Sequence, residues 1–154
     1  MRQTQVVYRI NKEANLILAK AFDEVPFDDV LLFVQCLLAD PDYRDGMNLL
    51  YDARCVTGMK GEITSYQAAA TIVSDQTLLT VPARTAVLVV NDDPRLMAYV
   101  DGYALMASSS MVEHKGFEER QIGALVAYLQ LNEFPEAELT ALSLSRDNAN
   151  QHLG

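Results

Sequence analysis

The stretch NLLYDARCVTGMKGE, Asn48–Glu62, ends an apolar run abruptly at Asp52 and follows it with Arg54, Cys55, Thr57, Gly58 and Lys60. A carboxylate and cations this close together can hold an anionic group, pair with each other, or present a rim to a partner protein. Gly58 and Gly61 let a ligand approach the backbone, and a helix starting near Gly61 would aim free amides outward. Asn91 closes a second apolar run, Thr85–Val90, and is expected on the same rim. The candidate binding rim is therefore Asp52, Arg54, Thr57, Gly58 and Asn91.

Other chemistries lack their residues. Asp52 would need a second carboxylate close by to act as an acid–base pair, and Asp92 and Asp93, followed by Pro94, read as helix caps instead. Cys55 sits among acids, which oppose thiolate formation. His114 and His152 lie far apart, and there is no His-x-x-His, Cys-x-x-Cys or Glu-x-x-His, so no metal site is expected. Gly-x-Gly-x-x-Gly, Walker and Gly-x-Ser-x-Gly motifs are absent as well, and no cofactor is expected.

Composition narrows the partners. The 154 residues are half apolar with a net charge of −9, which repels nucleic acid and anionic lipid. No apolar run reaches the roughly 18 residues of a membrane span, and MRQTQVVYRI is not built as a secretory signal. These features predict a cytoplasmic chain, not inserted in a membrane, with Cys36 and Cys55 free of a disulfide.

Periodicity places these residues on elements. Val6, Tyr8 and Ile10 alternate with polar neighbours, predicting a strand over 5–11, and 16–22 reads as its hairpin partner. Phe27–Ala39 reads as a helix, with Asp28 and Asp29 in its first turn, where the dipole favours carboxylates. Met47–Tyr51 and Thr85–Val90 are continuously apolar, as central strands covered on both faces are. Helices are expected over 62–79, 94–108 and 118–131, and a fifth strand over 111–117. The order β-β-α-β-α-β-α-β-α predicts an α/β fold: one mixed, mainly parallel five-stranded sheet with four main helices. It spans 1–132, and 133–154 is expected as an extension, a short helix over 135–144 and then a frayed tail.

The hairpin VVYRINKEANLILAKAF, the segment LLADPDYRDGMNLLYDAR and the later TAVLVVNDD and MVEHKGFEERQIGALVAYLQL resemble bacterial SpoIIAA-like proteins over about Gln5–Leu131. That resemblance implies the STAS fold of anti-sigma-factor antagonists, related to Sec14-like lipid-binding domains. Asp52 matches the family's strand-end aspartate. The phosphorylated Asp-Ser-x-Gly motif is absent, and in its place GMKGEITSYQ offers the hydroxyls of Thr64 and Ser65.

The first helix adds one more expectation. Phe27, Val30, Leu31, Val34, Leu37 and Leu38 form an inward stripe, while Leu32, Phe33 and Cys36 fall on other sides. A helix apolar nearly all round is buried on more than one side, so these three are a candidate interface with the tail or with a second copy in a homodimer. The leading functional expectation is a binding or regulatory module that acts by protein contact without turnover. The alternative is a carrier of a small apolar ligand or lipid, its pocket lined by the first helix and by Met47, Met59, Met97 and Met106. A weaker third is an enzyme using Asp52.

Overall fold

The computed structural model describes residues 4–153, and the side chains of residues 4–146. In chain order the elements are β1 (Val6–Asn11), β2 (Leu16–Pro26), α1 (Phe27–Ala39), β3 (Asn48–Lys60), α2 (Ile63–Val73), β4 (Ala83–Val89), α3 (Pro94–Met106), β5 (Val112–Glu118), α4 (Ile122–Tyr128) and α5 (Glu136–Leu153). They build one five-stranded sheet in the order β1-β2-β3-β4-β5, with β1 antiparallel to β2 and the other pairs parallel. The mixed, mainly parallel sheet and its flanking helices thus follow the order expected from periodicity.

Strand order decides where the helices go. Parallel crossovers are right-handed, and here each steps the same way along the sheet, so α1, α2 and α3 all fall on one face. Their inward residues form one core with Ile17, Ala19, Ala53 and Val89. The opposite face is covered by α4 and α5, which bury Leu125, Leu129, Leu139 and Leu142 against Leu18, Leu50, Ala86 and Leu88. A sheet wound in one direction has no switch point, the crevice where open α/β sheets usually bind ligands.

Register sorts side chains between the two cores. Ile17, Leu49, Thr85 and His114 lie side by side across β2–β5, and the next row on that face is Ala19, Tyr51, Val87 and Gly116. Gly116 is required by α3, because a Cβ there would stand 2.6 Å from Met97 Sδ and 3.0 Å from Val100 Cγ1. On the other face the row is Lys20, Asp52, Leu88 and Phe117.

Two expectations need correction. Residues 52–60 are not a loop: β3 continues to Lys60, paired with β2 as far as Pro26. Two bulges, opposite Lys20/Phe22 and Asp23/Glu24, each place an extra residue in β3. Each bulge resets the alternation, so Ala53, Val56 and Met59 all reach the α1–α3 side at three-residue spacing. Such spacing hides a strand from a period-of-two reading. The segment after 144 is not frayed coil either, since α5 runs on to Leu153. Its Leu139 is fully buried. Among the described residues, no helix is long and apolar enough to cross a membrane.

Candidate functional site

Asp52 and Arg54 stand two apart on a strand and therefore share a face. That face is the α4–α5 side, and Asp52 is fully buried there. Arg54 donates to both carboxylate oxygens, Nε to Oδ1 and Nη2 to Oδ2, each at 2.9 Å. At the bulge the Arg54 backbone N–H also turns to Asp52 Oδ1, at 3.0 Å, and Lys20 Nζ lies 3.8 Å from Oδ2. The hydrogen bonds to Asp52 raise the Arg54 guanidinium above its already high pKa. Arg54 then reaches Glu136 in the first turn of α5 at 3.0 Å and stacks under Phe134. Further along α5, Arg146 bonds Gln5 and lies 4.2 Å over the Phe22 ring. The pair ties the C-terminal helix to the sheet through Glu136.

Of the remaining candidates, Asn91 and Ser65 have partners of their own. Asn91 is exposed and accepts from the Arg120 backbone N–H at 2.9 Å, while Arg120 also pairs with Asp92 and Glu118, closing the turn into α4. Thr64 is exposed on α2, and Ser65 donates to Asp28, stitching α2 to the first turn of α1. Of the candidate interface, Leu32 and Cys36 are exposed, but Phe33 turns inward at 7% exposure and packs edge-on against Tyr8 and Tyr51. Its place in the monomer's own core removes it from that interface.

The concave space lies elsewhere, between the sheet and α1–α3. A partly open apolar cavity of about 130 Å³ is walled by Val34, Leu37, Val56, Val73, Val87 and Val100 among others. Polar groups dot these walls: Thr85, Tyr51, Tyr66, Tyr103 and His114. The Tyr66 hydroxyl donates to the Tyr99 carbonyl at 2.8 Å. Tyr51 and Tyr103 have their pKa values raised by burial, which keeps both phenols neutral. Burial likewise lowers His114 to about 4, so its ring is neutral at pH 7, and its buried Nδ1 has no hydrogen-bond partner among the described residues. Tyr103 packs edge-on to that ring at 5.2 Å. Residue types alone did not single out Tyr51, Tyr103 or His114. The available signal was tyrosine at positions where phenylalanine would fill the core, since a buried phenol wants a partner.

Thr57 and Gly58 do meet a crevice. The β3–β4 pairing ends at Asp52↔Leu88, and among the described residues β3 continues with no strand paired on that side. The chain turns at Asp92 (φ 61°) and starts α3 beside the gap. There Glu24, Thr57, Gly58, Asp93 and Arg95 surround a polar opening of about 130 Å³, with Met59, Leu96 and Tyr99 at its base. Among the described residues no group of three His, Cys, Asp or Glu could hold a metal ion. Comparison with known proteins finds no matching family model and no matching curated protein.

Proposed function

We propose that the protein is a binding module that carries a small apolar molecule in the cavity beneath α1–α3, without turnover. The observation that carries this reading is the partly open cavity itself, walled by apolar side chains of the sheet and of α1–α3. Its volume suits a body about the size of a benzene ring, since an engineered dry cavity of about 150 Å³ takes benzene.

The regulatory, homodimeric reading is the weaker one. Asp52 and Arg54, which would face the partner, spend their bonds inside the chain, and burial of Phe33 leaves Leu32 and Cys36 as the exposed part of the interface. A catalytic Asp52 is weaker still, because the carboxylate is shut beneath α5.

Titration with toluene tests the carrier reading. Saturating ligand at a hundred times its dissociation constant should raise unfolding stability by about 2.7 kcal/mol. Val87→Phe, which grows a ring into the space, should abolish that response while leaving the unliganded stability unchanged or higher. A wild-type chain that neither responds to toluene nor retains it in native mass spectrometry sinks the reading.

A further inference from the structure

The apolar cavity and the polar crevice share three walls, Met59, Leu96 and Tyr99. They also meet at one place in the fold, where β3 outruns β4 and α3 begins. The crevice thus adjoins the apolar cavity across these three side chains. Its charges are not equally committed. Glu24 faces Lys60 at 3.5 Å, and Asp93 caps α3 by accepting from the Leu96 N–H at 3.0 Å. The Arg95 side chain makes no ion pair or hydrogen bond with a described residue, and the exposed Thr57 lines the same crevice.

Building on the carrier reading, we propose that the ligand is a small carboxylic acid with a compact aromatic or alkyl body. The body enters the cavity past Met59, Leu96 and Tyr99, and the carboxylate stays in the crevice on Arg95 with Thr57 donating. A guanidinium matches a carboxylate with two parallel donors, and leaving the head near solvent avoids the desolvation penalty that a charge in the cavity would incur. The assignment gives roles to Thr57 and Arg95.

The test compares phenylacetate with phenylacetamide, the neutral molecule of nearly the same shape, and with toluene, by calorimetric titration of the full chain. Phenylacetate should bind about tenfold more tightly than the amide at low ionic strength, and the preference should shrink as salt is added. Arg95→Gln should erase that preference while leaving toluene affinity unchanged, and Arg95→Lys should restore part of it. Arg95 is exposed and unpaired, so thermal unfolding of both variants should match wild type. Equal affinity for acid and amide, or a preference that survives Arg95→Gln, overturns the assignment, while toluene binding would leave the carrier reading standing. Failure of all three probes to bind overturns both.

Discussion

The two faces of the sheet are built from the same five strands yet packed to different ends. Beneath α4 and α5, leucines from three strands and two helices meet with Phe117 in one core, and a buried carboxylate, Asp52, is bonded by Arg54 and flanked by Lys20. Beneath α1, α2 and α3, the core holds a void, and the polar atoms at its edge include one with no partner among the described residues. Interiors are normally close-packed, and buried polar groups normally bonded. The void marks the face where function is sought, whereas the ion pair on the opposite face stabilises structure.

That contrast can be broken. The largest effect belongs to Asp52→Ala, which strands Arg54 and Lys20 in a buried setting and should destabilise the chain by about 3–5 kcal/mol in urea denaturation. A loss under about 1 kcal/mol would make the clasp no better than a surface pair. Next comes acid. Between pH 6.5 and about 4, the unfolded chain protonates His114 and the folded chain does not, so the unfolded state binds more protons and stability falls as pH drops through that window. The part due to this ring amounts to about 3 kcal/mol, and His114→Phe should remove it. Equal acid sensitivity in wild type and variant would place the ring in water.

Smaller effects sharpen the comparison. Gly116→Val should cost about 1–3 kcal/mol by pressing α3 away through Met97 and Val100, and Met97→Ala in the same chain should recover part of it, read as a coupling in a double-mutant cycle. Smallest is Tyr51→Phe, which deletes a phenol from the cavity wall and should change stability by no more than about 0.5 kcal/mol. A large loss there would reveal a hydrogen bond that holds the fold together.

Much of this architecture was legible. Continuous apolar runs at Met47–Tyr51 and Thr85–Val90 marked central strands, the polar turn at 12–15 marked the hairpin, and Asp93-Pro94 marked the start of α3, where Asp93 does cap. The site was less so. Asp52 and Arg54 attracted attention as a charged pair, but a pair on one strand face serves a rim or a clasp according to what lies above it. What lies above is α5, some eighty residues further along the chain. Phe33 misled in the same way: helical position put it off the main stripe, and the hairpin's Tyr8 and the strand's Tyr51 came round to meet it.

Local chemistry, then, determined which segments are strands and helices, how they alternate and where they stop, because those follow from side-chain periodicity, caps and turns within a few residues. Only tertiary structure decided which face each strand residue would join beyond the bulges of β3, that the charged pair would meet α5, and that a void would open under three helices. Those outcomes depend on contacts between residues far apart in sequence, and on how completely side chains of fixed volume fill the space that a one-way-wound sheet leaves beneath its helices.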